Sequence, residues 1–291
     1  MRTSLGEKVF TGFNTILMLL LCFVTLYPFI YVGFASLSSP ASLAQHRGLL
    51  LAPLELNFSA YKAVFDNPMI TTGYRNTLIY VTCGTAINLL LTAIGAYVLS
   101  RRNLYFKNIL MLLIVITMFF GGGLIPTYLL INKLGMLNTV WALLIPGAIS
   151  TFNMIIMRTG FQSVPISLEE SARIDGANDL VILFRIIIPL SMPVIAVMIL
   201  WYAVGHWNSY FSALIYMRDR ELFPLQLVLR EILITNSMDS MMTDSGAGDR
   251  IAIAETIKYA TIIVSTLPIL VLYPFLQKYF VKGVLIGAIK E

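Results

Sequence analysis

The stretch S-L-E-E-S-A-R-I-D-G-A-N-D-L, Ser167 to Leu180, decides how the rest of the chain is read. It places two adjacent glutamates, an arginine, two aspartates and a glycine between the apolar runs Thr139–Met157 and Ile186–Val204. Ser167-Leu168-Glu169-Glu170 has the form of a capping box, in which the serine hydroxyl accepts from the Glu170 N–H and the Glu170 carboxylate reaches back. The spacing therefore predicts a helix beginning near Leu168, with Pro165 as its boundary and carboxylates complementing the positive end of the dipole. Gly176 is placed to end that helix in the left-handed conformation, and Asn178 to cap a second one running through Leu180–Phe184 toward Pro189. The expectation is a helix, a turn and a second helix lying at a membrane face.

The membrane is implied by everything around this stretch. Of 291 residues 58% are hydrophobic and only 12% charged, with mean hydropathy +0.81; a soluble domain carries about 25% charged residues. Six apolar runs approach the roughly 20 residues that span hydrocarbon as helix: Phe13–Phe34, Thr77–Leu99, Ile109–Ile131, Thr139–Met157, Ile186–Val204 and Tyr259–Tyr279. They do not alternate as barrel strands do, so the fold class is all-α, a polytopic protein with six transmembrane helices. With the N-terminus inside, the inner segments hold eleven of the twenty Lys and Arg residues and a net charge of +5, while the outer segments balance nine basic against nine acidic residues. The positive-inside rule then puts both termini in the cytoplasm. The first run exceeds the about 7–15 apolar residues of a cleaved signal and is expected to stay in the mature chain. Cys22 and Cys83 fall inside apolar runs and read as small hydrophobes, not as a disulfide or metal pair.

Two outer segments are long. Ala35–Asn76, with Pro40, Pro53 and Pro68, reads as irregular chain with a surface helix. In His206–Lys258, the stretch ELFPLQLVLREILI reads as a short amphipathic helix after Pro224, lying on the membrane face or dipping into a pore, followed by a flexible polar loop from Thr235. Gly121-Gly122-Gly123 inside the third run serves either as a kink or unwound turn or as a close-packing point between helices.

Several chemistries lack their residues. No Gly-rich loop ends in Gly-Lys-Ser/Thr, so the chain carries no phosphate cradle of its own. His46 and His206 have no ligand-spaced partners, and Asp and Lys are missing from the interiors of the runs, which argues against metal catalysis and proton relays.

Reading on from Glu170, E-S-A-R-I-D-G-A leads through N-D-L-V-I-L-F-R to I-I-I-P at Pro189. This resembles the EAA motif, E-A-A-x-x-x-G followed by I-x-L-P, of the membrane subunits of binding-protein-dependent ABC importers. Glu170, Ala172, Gly176, Ile186 and Pro189 match, while Ser171 and Ile188 depart mildly. Asp175-Gly176-Ala177, the run His206–Phe211 and the ending YPFLQKYFVKGVLIGAIKE resemble the carbohydrate branch, in particular the second permease of oligosaccharide and polysaccharide-fragment importers. The resemblance implies the type I (MetI-like) permease fold, with residues 1–70 as N-terminal helix and outer loop, 71–281 as the permease core, a coupling loop at 165–189, and 282–291 as a cytoplasmic tail. It implies a bacterial cell membrane location and a saccharide cargo. It also implies partners: a homologous second permease, two ATPase subunits that hydrolyse the ATP, and an extracellular or periplasmic substrate-binding protein. No cofactor, metal or nucleic acid is expected on this chain, and it is not an enzyme.

In such importers the EAA helix docks in a groove on the ATPase. Glu169, Glu170, Arg173 and Asp175 are then expected as surface contacts, and Ala172, Gly176 and Ala177 as small residues permitting close docking. A sugar path wants aromatic faces and amides, for which Asn153, Trp201, Trp207, Asn208 and Tyr210 are the candidates. Two other readings stay open at this point. One is a permease for a non-sugar cargo; the other is a membrane-embedded lipid or glycan enzyme, for which Asp66, Asp219, Glu221 and His206 form no evident acid–base pair.

Overall fold

The computed structural model describes residues 4–242, 253–271 and 274, with the backbone alone over 235–242. Every regular element among them is helical. In chain order these are α1 (Leu5–Ser36), α2 (Pro40–Gln45), α3 (Ser59–Asp66), α4 (Pro68–Ser100), α5 (Lys107–Phe119), α6 (Leu124–Lys133), α7 (Trp141–Leu144), α8 (Thr151–Gln162), α9 (Ile166–Ile174), α10 (Asp179–Ile182), α11 (Ile188–Leu190), α12 (Met192–Trp207), α13 (Phe211–Tyr216), α14 (Leu225–Met242) and α15 (Ile253–Val271).

Among the described residues α1, α4 and α15 are long and apolar enough to cross a membrane unbroken. The middle runs, expected as continuous helices, are broken, each where its sequence forbids an unbroken ladder. Ile109–Ile131 becomes α5 and α6, bent by 107°. The glycine triplet is an unwound turn: Gly123 has φ +80°, and nothing lies within 4 Å of a Cβ built on Gly121 or Gly123, so close packing is not its role. Thr139–Met157 becomes α7 and α8, because Pro146 lacks an N–H and its ring opposes the carbonyl four residues back, at Ala142. Ile186–Val204 breaks at Ser191, where the segment Asp179–Leu190 meets α12 at 89°. Pro189 denies the Arg185 carbonyl its helical donor, and the backbone over Leu183–Ile187 widens into a π turn just before it. Of the run Tyr259–Tyr279, the stretch described continuously ends at Val271.

The helix expected after Pro224 is present, but α14 carries on to Met242 through residues read as loop; the remainder of that loop, 243–252, lies outside the described residues. Its start is held against protein, with Leu225, Leu227 and Val228 buried. Thr77 Oγ1 accepts from the Leu225 N–H at 2.8 Å, Asn76 donates to the carbonyls of Glu221 and Phe223, and Tyr80 to that of Leu222.

The chain divides into two compact units. The first comprises Met1–Ile70 and Leu229–Leu267. Its small core of Ala35, Leu43 and Leu50 is flanked by Tyr31 and Tyr259, which meet edge-on at 5.9 Å. The second comprises Thr71–Val228 and Pro268–Glu291. Its core joins Ala93, Ala96 and Tyr97 of α4, Met157 and Phe161 of α8, Ile182, Leu183 and Ile187, and Met198 and Tyr202 of α12. In lipid, which is as apolar as these side chains, such a core is held by close van der Waals packing and interhelical hydrogen bonds. Close approach is enforced at Gly160 of α8, where a Cβ would stand 2.7 Å from Val194 Cγ2 of α12.

The break between α7 and α8 is stitched by neutral polar side chains. Fully buried Asn88 on α4 donates to the carbonyls of Gly147 at 2.9 Å and Ala148 at 2.8 Å. Its amide nitrogen being thus used, its Oδ1 accepts from His206 Nε2 at 2.6 Å. Nearby, Thr92 and Tyr202 share a hydrogen bond of 2.7 Å, and the Tyr202 oxygen accepts from the Ser150 N–H at 3.3 Å. Buried non-helical backbone needs such partners, because an unpaired carbonyl or N–H away from water is costly.

Candidate coupling site

α9 begins two residues earlier than its sequence implies. Pro165 occupies the N-cap, with φ −57° and ψ 130°, and no side chain caps the helix. Ser167 is therefore already helical, and the capping box read from Ser167–Glu170 is not made. The other end is as expected. Gly176 has φ +82°, the Ala177 N–H reaches the Ala172 carbonyl at 2.9 Å and the Gly176 N–H that of Arg173 at 3.1 Å. Together these bonds form a Schellman stop. Asn178 Oδ1 then accepts from the Val181 N–H at 2.9 Å, opening α10.

The helix has two faces with different chemistry. Ser167, Glu170, Ser171 and Ile174 lie outward and exposed, and Ile174 is 87% exposed despite being aliphatic. Asp175 and Gly176 are exposed beside them. Ala172 and Ala177 are half-buried and pack on this chain's own core. The small side chains expected to admit a partner thus admit the second unit's own helices, and Gly176 is needed for its backbone conformation, with open space around it.

Glu169 departs most from expectation: it is buried, 7% exposed, and turned inward. It forms an ion pair with Arg101, just past the end of α4, and accepts from Arg173 at 3.2 Å. Arg173, exposed, also bonds Asp179 on α10, and the Tyr97 hydroxyl donates to Asp179 at 3.1 Å. The Arg101 guanidinium lies over the Tyr97 ring at 4.5 Å, and burial pulls its pKa below the ordinary arginine value. Lys107 donates to the Arg101 carbonyl at 2.9 Å and Arg158 to that of Leu99 at 3.0 Å, so cations satisfy the terminal carbonyls of α4, as the helix dipole favours. A cleft of about 740 Å³ opens beside this network, lined by Arg101, Arg102, Lys107, Pro165, Glu170 and Arg173 among others.

The residues expected along a sugar path are not gathered in one place. Trp201 is 36% exposed and stacks on Phe152 at 5.7 Å. Asn208 and Tyr210 are exposed after the end of α12. Asn153 is buried in the first turn of α8, where its N–H bonds the Ser150 hydroxyl. Trp207 is buried against Tyr74. Of the residues weighed for an enzyme, Asp219 caps a turn by accepting from the Glu221 N–H and His206 is engaged by Asn88. Arg101, Tyr97 and Asp179 were missed as site residues; the partner of Glu169 stands 68 positions before it in sequence, and no local motif announces the pair.

A short helix with one face anchored to its own chain and one bare, in a chain rich in long apolar helices, defines a helical membrane protein. Residues 92–286 match the model of the family described as binding-protein-dependent transport system inner membrane component, and the chain belongs to that family. It is 41% identical, over the full length of both chains, to the polygalacturonan/rhamnogalacturonan transport system permease protein YtcP of Bacillus subtilis. It is 43% identical to protein LplC of the same organism, over 92% of this chain and 90% of that one. Among solved structures it is similar to a chain in the crystal structure of a bacterial ABC transporter involved in the import of the acidic polysaccharide alginate, with TM-score 0.86, 35% identity, and 96% and 99% of the two chains covered.

Proposed function

We propose that this chain is one half of the translocation path of a saccharide-importing ABC transporter, driven through α9 by a cytoplasmic ATPase. The observation that carries the reading is the bare outward stripe of α9, Ser167, Glu170, Ser171 and Ile174, on a helix whose other face is anchored to its own chain. An aliphatic side chain as exposed as Ile174 at a charged surface suits a protein partner. Glu170, Asp175 and exposed Arg173 supply charge around it, while Glu169, Ala172, Gly176 and Ala177 hold the helix in place for docking.

The accompanying assembly in this reading is a second, homologous permease, two ATPase subunits and a substrate-binding protein outside a bacterial cytoplasmic membrane. This chain itself is multi-pass, with six spans and both termini inside. It binds no nucleotide, cofactor or metal and catalyses no reaction. Its cargo is a fragment of a polysaccharide, the class named for two of its relatives. The stacked Phe152–Trp201 pair offers an aromatic face of the kind sugar rings need, and exposed Asn208 and Tyr210 offer further polar and aromatic groups.

The test is co-purification of the tagged chain, co-expressed with its candidate partners, in mild detergent. The wild type retains a second permease and an ATPase, and Ile174→Asp combined with Glu170→Lys releases the ATPase but keeps the permease. Retention of the ATPase by that variant would move the docking surface away from α9, and a chain that purifies alone would end the importer reading.

A further inference from the structure

An exposed docking helix transmits force only as well as it is fixed to what it moves. Glu169 is the one carboxylate of α9 turned inward, and it is held by two cations at once. Followed outward from Glu169, the contacts close on themselves. Glu169 pairs with Arg101, Arg101 covers the Tyr97 ring, Tyr97 bonds Asp179, Asp179 bonds Arg173, and Arg173 returns to Glu169. The five side chains come from three places: the end of α4, α9, and the start of α10.

We infer that this closed ring is a latch making α9 and the end of α4 one rigid lever, with Arg101, Tyr97 and Asp179 as positioning residues for coupling. It deepens the proposed function and rests on it for its meaning in transport. The ring supplies what packing alone does not. Ala172 and Ala177 give α9 an apolar seat, but two small side chains leave it free to slide or roll. A buried carboxylate clamped between two guanidiniums fixes direction as well as position, because each Arg offers a planar fork of donors. The Arg101 fork is itself held: its Nε and Nη2 donate to the Ser100 hydroxyl at 3.0 and 2.8 Å, and its backbone carbonyl is taken by Lys107. Movement of α9 is thereby passed to α4. That 33-residue helix carries Asn88 and the stitched break of α7–α8 on the same rigid body.

The latch predicts that the distance between α9 and α4 keeps one narrow distribution, and that neutralising the ring frees it. Spin labels at Leu168→Cys and Arg102→Cys, both exposed positions outside the outward stripe and the ring, with Cys22→Ala and Cys83→Ala removing the native thiols, report that distance by pulsed electron paramagnetic resonance. The purified chain and the assembled complex are both measured. Glu169→Gln and Arg101→Gln are expected to broaden the distribution at least twofold, and Arg101→Lys, which keeps the charge but loses the planar fork, to fall between wild type and Arg101→Gln. The double neutral variant should be no broader than either single one, the non-additivity of a shared interaction. Equal widths in all variants would overturn the latch, whether or not an ATPase is captured. ATPase retained with the distribution broadened is the expected pattern, since the outward stripe is untouched. Failure to capture an ATPase with the wild type strikes the proposed function and leaves the latch to be judged on the isolated chain.

Discussion

Two regions of the second unit hold broken helices together, and they do so with opposite chemistry. Around α9, that helix and α10 are fixed to the end of α4 by charges: Glu169, Arg101, Arg173 and Asp179. At the break between α7 and α8, the same helix α4 works with neutral groups, an asparagine amide on two carbonyls, a histidine on the asparagine, and a threonine–tyrosine pair. The difference follows the solvent. An ionised side chain in hydrocarbon costs about 2.5–3.5 kcal/mol or more, so the buried irregular backbone between α7 and α8 is satisfied by amides and hydroxyls. Where the chain leaves the bilayer, charges are tolerated, and they add a directional hold that neutral bonds lack.

The sharpest way to break this comparison is to remove one member from each network. Glu169→Ala leaves two guanidiniums facing each other without their carboxylate. Breaking a buried pair costs about 3–5 kcal/mol, and the partial exposure of Arg101 and Arg173 brings the expectation to about 3 kcal/mol. Asn88→Ala strands two buried carbonyls and should cost about 2 kcal/mol, since each unsatisfied group carries about 1–3 kcal/mol and relaxation recovers part of it. Thermal unfolding in detergent checks both. Salt separates them: raising it to about 0.5 M screens the exposed Arg173–Asp179 side of the ring far more than the buried Glu169–Arg101 pair and should narrow the gap between wild type and Glu169→Ala slightly, while the Asn88→Ala gap stays constant. Equal salt responses would mean that the two networks do not differ in kind.

The two regions also differ in how far they can be read from the amino-acid order. The coupling stretch is local: Gly176, Asn178 and Pro189 act within a few residues of themselves, and the glycine stop and asparagine cap were legible for that reason. The same holds for the all-helical class and for membrane insertion, which depend on composition. The neutral network was not legible. Asn88 stands inside the apolar run Thr77–Leu99, where an amide needs a partner, but its partners lie far away, His206 being 118 positions on, and no local motif names them. The breaks in the middle runs were legible only in part: the glycine triplet offered an unwound turn as one of two readings, whereas hydropathy sums apolar residues without regard to backbone, and Pro146 and Pro189 interrupt the ladder while leaving their runs as oily as before.

Within the coupling stretch the backbone conformation can be separated from side-chain contact. Gly176 stands in the left-handed region with open space around it. Gly176→Val should therefore lose about 1–2 kcal/mol, from the left-handed backbone alone, while Gly176→Asn, which visits that region more readily, should lose less than half as much. Melting temperatures of the two variants check the order. Similar losses would place the role of this glycine in packing against a partner and not in the turn.

The smallest expected effect tests the start of α9. Two stretches have the S-x-x-E form, and only one makes the bonds. At Ser4-Leu5-Gly6-Glu7 the serine hydroxyl accepts from the Glu7 N–H at 3.2 Å and the Glu7 carboxylate accepts from the Ser4 N–H at 2.7 Å. At Ser167–Glu170 neither bond exists. The residues before them explain the contrast. Ser4 takes the extended backbone that a cap requires, whereas Pro165 takes that role ahead of Ser167 and starts the helix at Ile166. Ser4→Ala should then lower stability by about 1 kcal/mol, the usual worth of a cap, and Ser167→Ala by less than about 0.5 kcal/mol, as for a surface substitution. A loss at Ser167 matching that at Ser4 would show the helix beginning at Leu168. That start would turn Glu170 back toward its cap and leave Ile174 as the main outward side chain of the stripe.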